Sequence, residues 1–119
     1  MTTKQFNELY DKVIIPSIEK MRKSGQAEYA NDDNNIFANF DRVAEDININ
    51  RKQVIWCYLR KHLDGVLNFI ENGTEQREAI QGRISDIIVY MMLLWASIED
   101  DKNLLMNIIQ EKIYRFTVL

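Results

Sequence analysis

NRKQVIWCYLRKHLDGVLNFIENG, residues 50–73, decides the fold. Asn50 offers a side-chain oxygen and Gln53, three residues on, an amide, which is the reciprocal pairing that opens a helix. Apolar residues then fall at Val54, Ile55, Tyr58, Leu59, Leu63, Val66, Leu67 and Ile70, with spacings of three and four. No proline interrupts them, and Gly73 supplies a left-handed stop. The stretch predicts a helix over Arg51–Asn72. With Trp56 and Phe69 added, its apolar residues cover most of the circumference, which calls for neighbours on several sides.

Downstream, residues 77–99, REAIQGRISDIIVYMMLLWASIE, predict a second and still more apolar helix. EDDKN, 99–103, reads as a turn, and Leu104, Leu105, Ile108, Ile109 and Ile113 as a last helix. The end, YRFTVL, is oily for a free tail and either folds back or docks on another subunit. Upstream, Phe6, Leu9, Tyr10, Val13, Ile14 and Ile18 predict a helix over about 3–24, kinked at Pro16 and closed by Gly25. The Asn- and Asp-rich residues 26–33 read as a loop. A short helix over about 35–46 follows, with Ile36, Phe37, Phe40, Val43 and Ala44 inward. Nothing alternates with period two and nothing repeats. The expectation is a single all-α domain over 1–119, a four to five helix bundle. Two nearly all-round apolar helices exceed what so small a bundle hides, so a homo-oligomer is expected, with residues 87–98 at the interface.

Composition narrows the function. Apolar residues make up 46% of 119, enough for a core, and the net charge of −3 argues against a duplex nucleic acid partner. The single cysteine, Cys57, excludes an intrachain disulfide; its apolar setting suggests a buried thiol, and a reducing cytoplasm fits. The polar start, MTTKQFNELYDK, is unlike a signal peptide, and the run 87–98 is too short to cross a membrane.

Several polar residues sit awkwardly among the apolar ones. Lys61, Asp64 and Asn68 form one helical stripe, flanked by Arg60 and His62; it is either a solvated face or half of a polar groove. His62 is the only histidine, which argues against a zinc site and against a Ser–His–Asp arrangement. It is either a packed, hydrogen-bonded side chain or a ligand contact. Arg83 lies five after Glu78 and three before Asp86, with Tyr90 a further turn on. That set is either an ion-pair network or a guanidinium fork pre-set for phosphate. Gly82 is costly in a helix unless something approaches its backbone closely. Phe37 and Phe40 are either core or rings that stack a base, with Asn34 and Asn39 reading its edge. The absence of a Gly-rich phosphate loop excludes a Walker-type NTPase.

The strings NNIFANFDRVAEDININRKQVIWCYLRKHLDGVLNFIENG and REAIQGRISDIIVYMMLL resemble small phage-type proteins of the nucleotide modification associated group. These are similar in turn to the all-α, MazG-like and dUTPase-like nucleotide pyrophosphatases. The resemblance spans about residues 34–98, and FANF, the KH of the central helix and GRISD followed by VY carry it. It implies nucleotide pockets, often at subunit interfaces. In hydrolytic members, Glu-Glu-x-x-Glu and Glu-x-x-Asp carboxylates hold Mg²⁺, which bridges phosphates and activates water. Placed on those motifs, Arg60, Lys61 and Asp64 occupy the first, and Arg83 and Asp86 the second. Cations thus stand where three of the acids would.

The resulting expectation is a nucleotide-binding protein without hydrolysis and without a cofactor. Arg83, Lys61 and Arg60 would hold phosphates, and Phe37, Phe40 or Tyr90 would stack a base. Asn39 would read its edge, and His62, Glu78 and Asp86 would complete the pocket. In a phage setting the ligand would include a cyclic oligonucleotide immune signal, sequestered in the host cytoplasm. One alternative is a divergent nucleotide pyrophosphohydrolase with Mg²⁺ on Asp64 and Asp86, Glu78 or another carboxylate completing the site. Another is a helical protein-interaction module.

Overall fold

The computed structural model describes residues 1–29, 34–74 and 77–118, with no side-chain description at 26–29 and 118. Every regular element among them is helical. They are α1 (Thr3–Leu9), a π turn (Tyr10–Ile14), α2 (Ile15–Tyr29), α3 (Ala38–Ile47), α4 (Arg51–Asn72) and α5 (Ile80–Val118).

The first three run on as one rod. Thr2 opens it: its hydroxyl accepts from the Gln5 N–H, and the Gln5 side chain accepts from the Thr2 N–H. The kink expected at Pro16 takes the form of the π turn. Proline cannot donate to the carbonyl four residues back, and its ring crowds that carbonyl. The Ile15 N–H reaches five residues back to Tyr10, widening the helix just ahead of the ring. The helix does not stop at Gly25 but continues to Tyr29. Gly25 instead lines a cavity against α5. Of the loop expected over 26–33, the backbone of 26–29 is helical, and 30–33 lie outside the described residues.

α3 begins at Ala38, later than expected, because Asn35 builds a turn ahead of it: its Oδ1 accepts from the Phe37 N–H and its Nδ2 donates to Asp41. It ends on Asn48 in the left-handed conformation, φ 57°, which asparagine tolerates better than most residues. α4 has the bounds read from sequence. The Asn50–Gln53 box caps it, and Gly73, φ 68°, closes it.

The turn expected at 99–103 is absent, and α5 is a single helix of 39 residues. Asp100 and Asp101 reach the start of α4, where Asp100 accepts from Arg51 at 2.8 Å and Asp101 pairs with Lys52. A carboxylate near a helix N-terminus also complements its dipole. These tertiary partners outweigh the turn preference of the sequence. Arg51 also donates twice to Asp41, at 2.7 and 2.8 Å, and its guanidinium lies 4.0 Å over the Phe37 ring. Chiefly through that hydrogen-bonded partner, Asp41 titrates below the ordinary aspartate range, against the opposing effect of burial.

α4 runs antiparallel to the first half of α5, since Arg51 meets Asp100 while His62 meets Asp86. α2 runs parallel to α5: Ser17 and Lys20 share a groove with Gln81 and Ser85, and Met21 and Gly25 one with Val89 and Leu93. Phe37, Phe40, Ala44, Val54, Ile55, Leu59 and Tyr90 form the core. Burying a side chain such as Val54 or Ile55 stabilises by about 1.5–3 kcal/mol. Cys57 is exposed, not buried as expected, because it lies off the face shared by Val54, Ile55 and Leu59. Beyond Asp101, α5 leaves the bundle and is exposed through Thr117, so Tyr114, Arg115, Phe116 and Thr117 do not fold back. The molecule measures 66 × 38 × 25 Å. Among the described residues, no helix is long and apolar enough to cross a membrane.

Candidate functional site

The inward face of α4 passes from Val54, Ile55 and Leu59 to His62 and Gly65 at helical spacing. Facing it, α5 presents Arg83, Asp86 and Tyr90, the same three-and-four rhythm. Where the two helices pass, the His62 ring lies between two carboxylates. Its Nδ1 is 3.9 Å from Oε2 of Glu78, and its Nε2 is 3.7 Å from Oδ2 of Asp86. Glu78 comes from the segment just before α5. Aromatic neighbours fix the imidazole. Tyr90 stacks on it with centroids 5.6 Å apart, Tyr58 stacks on Tyr90 at 6.1 Å, and Phe40 meets both tyrosines edge-on. His62 is 8% exposed, and its Nδ1 is buried without a hydrogen-bond partner.

Arg83 is equally buried. Its guanidinium lies across α4 at Gly65, where a Cβ would overlap it. The close approach anticipated at Gly82 belongs to Gly65 instead; a Cβ at Gly82 would meet open space. Burial pushes the Asp86 carboxyl above its ordinary range; His62 opposes the rise, Glu78 adds to it and Arg83 opposes it.

Asp86 and Tyr90 also wall a cavity of about 160 Å³ between α2 and α5, closed by Met21, Arg22, Gly25, Ile36, Val89 and Leu93. Its lining is almost wholly apolar apart from Asp86 and Arg22.

Of the residues singled out from sequence, the fold brings together His62, Glu78, Arg83, Asp86 and Tyr90. The others lie elsewhere. Arg60 pairs with Asp64 at 3.2 Å, both side chains largely exposed, and Lys61 is exposed beside them. Asn68 accepts from Asn72. The Lys61–Asp64 stripe is therefore the solvated face, and Asp64 stands outside the cluster that contains Asp86. One or two residues away from His62, these positions turn about 100–200° from its face. Phe37 and Phe40 belong to the core, Asn39 accepts from Arg42 at 3.0 Å, and Asn34 is an exposed turn residue.

Sequence reading missed Tyr58, Gly65 and the α2 wall. Tyr58 had a usable signal, four residues before His62 on the same face. Gly65 had one too, as a glycine in mid-helix. Met21, Arg22 and Gly25 had none, because only tertiary packing brings α2 against α5. No family model, curated protein or solved structure matches the chain.

Proposed function

We propose that the chain binds a phosphate-bearing nucleotide, with a base in the cavity between α2 and α5 and its phosphates toward Arg83. The continuity of that cavity with the polar cluster, through Asp86 and Tyr90, carries the proposal. An apolar cavity of about 150 Å³ takes one benzene-sized ring, so this one suits a single base. Asp86 at its edge offers acceptors for exocyclic amino groups, and Arg22 a donor. The resemblance to phage-type proteins extends the proposal to sequestering a cyclic nucleotide immune signal, one base of which would occupy the cavity.

Among the described residues, Glu78 and Asp86 converge while Asp64 is turned away to Arg60, which favours retention without hydrolysis. A divergent magnesium-dependent pyrophosphohydrolase is the second reading. The convergence of Glu78 and Asp86, two of the three carboxylates expected of that reading, favours it.

Thermal unfolding across a nucleotide panel, with and without Mg²⁺, tests both. A ligand at a hundredfold its Kd adds about 2.7 kcal/mol. Stabilisation independent of Mg²⁺, with ligand recovered intact after denaturation, supports retention. Mg²⁺-dependent release of pyrophosphate supports the enzyme reading. No shift with any nucleotide, cyclic ones included, overturns both in favour of a protein-interaction module.

A further inference from the structure

We propose that His62, Glu78 and Asp86 bind one first-row divalent metal ion. One ligand atom from each lies within 4.8 Å of the other two. A ring nitrogen binds an ion along its own lone pair, so Nδ1 is the imidazole donor. An ion about 2.0–2.2 Å from each donor holds the three roughly 3.4 Å apart. Glu78 reaches that spacing by a short inward movement, and Asp86, now nearer Nε2, by a longer swing around the ring edge. The imidazole supplies an independent sign: Nδ1 is buried, unpartnered and 3.9 Å from Oε2 of Glu78. That separation is too long for a hydrogen bond and suits two donors bridged by an ion. A buried nitrogen left without a partner is costly, and a metal bond satisfies it.

The donor set selects the ion. One imidazole with two carboxylates suits Zn²⁺ or Mn²⁺ better than Mg²⁺ or Ca²⁺, which favour all-oxygen shells. A single histidine argued against zinc when the sequence was read alone, but the two carboxylates take the missing positions. Three protein ligands leave coordination sites open, and the half-exposed Glu78 leaves the cluster accessible from solvent. Tyr90, stacked on His62, holds the ring in place.

Because His62 is the only histidine, its ring ¹⁵N resonances read the site directly. The chain, stripped with chelator, is titrated with Zn²⁺ alone and then Mn²⁺ alone. Expected are one ion per chain by calorimetry, a shifted His62 ring nitrogen with Zn²⁺, and broadening of both with Mn²⁺. Glu78→Gln and Asp86→Asn weaken binding at least tenfold while the far-ultraviolet circular dichroism is unchanged. His62 resonances unmoved at millimolar Zn²⁺, or Glu78→Gln binding as tightly as the parent, overturn the proposal. No nucleotide enters the measurement, so its outcome is separate from that of the nucleotide reading.

A different surface carries a second inference: the outer face of α5 pairs antiparallel with α5 of a second copy. Ile84, Ile88, Met91, Trp95, Ile98, Lys102, Leu105, Ile109, Lys112 and Phe116 follow one another at alternating spacings of four and three. This is the 3.5-residue period of a supercoiled helix pair. The apolar members are exposed, from 40% at Ile109 to 86% at Phe116, except the half-buried Ile88. Residues 102–117 stand clear of the bundle, and an isolated helix of that length is marginal in water.

The two lysines specify the partner and its direction. Parallel pairing would set Lys102 on Lys102 and Lys112 on Lys112. Antiparallel pairing about a point between Ile98 and Lys102 sets Trp95 against Leu105, Met91 against Ile109 and Ile84 against Phe116. Each lysine then faces an isoleucine, along which its stem lies while the ammonium reaches water. The stripe would bury on the order of 600 Å² per copy, near the ~800 Å² per partner of a standard interface.

Light scattering after gel filtration should show a dimer, and the double variant Trp95→Lys, Ile109→Lys a monomer. In a chain with Cys57→Ser, Met91→Cys mixed with Ile109→Cys should form a crosslink on oxidation. A monomeric parent at 100 μM, or a double variant that remains dimeric, overturns the inference.

Discussion

At the residue scale, two glycines of α4 and α5 make opposite predictions. Gly65→Ala drives a methyl into the Arg83 guanidinium, and overpacking of this kind costs about 1–3 kcal/mol. Gly82→Ala meets no atom within 4 Å and should stabilise by up to about 1 kcal/mol through helix propensity. Urea denaturation midpoints check both, and equal effects would refute the placement of Arg83. Ser97 is fully buried with an unpartnered hydroxyl. Removing a hydroxyl that makes no bond relieves its desolvation, so Ser97→Ala should leave the midpoint unchanged or raise it. The residue types of the site were legible: His62, Glu78, Arg83, Asp86 and Tyr90 each stood out as polar groups on apolar helices. Which face of α4 turned inward was not. α4 is apolar nearly all round, so the Lys61–Asp64 stripe and the His62–Gly65 face were equally open to the partner helix. Only packing against α5 separates them.

At the element scale, the clamp of Asp41 and Asp100 on Arg51 joins α3, α4 and α5. Its acid sensitivity follows from the lowered Asp41 pKa. Between the ordinary value near 3.8 and the lower folded value, the unfolded chain binds more protons, so stability rises with pH there. The Asp41 contribution is complete above the ordinary value and is lost as pH falls through the folded one. Arg51 stays charged throughout, its pKa raised chiefly by Asp41. Asp41→Asn should lower stability at pH 7 and flatten the acid loss that sets in below the ordinary value near 3.8; an unaltered acid profile would exclude Asp41 as its source. α4 was legible to both ends because its capping box and its left-handed glycine are local signals. The continuity of α5 was not, since Arg51 and Lys52, which engage Asp100 and Asp101, lie far back in the chain.

At the scale of the molecule, the buried core ends before the clamp, and residues 102–117 lie outside it. A chain ended after Lys102 should keep a cooperative thermal transition while losing helical ellipticity, as circular dichroism would show. A non-cooperative melt would mean that the projecting helix is needed to hold the bundle together. All-helical architecture was legible from periodicity alone, whereas the shape of the molecule depended on a helix that the sequence suggested would break. With no break between Ile80 and Val118, α5 is a lever pivoted at its clamp on α4. Asp86 lies on one arm, about 20 Å from the pivot at 1.5 Å per residue, and Phe116 on the other, about 25 Å away. For a rigid rod, a tilt at the carboxylate arm appears at the far tip with the opposite sense and similar size.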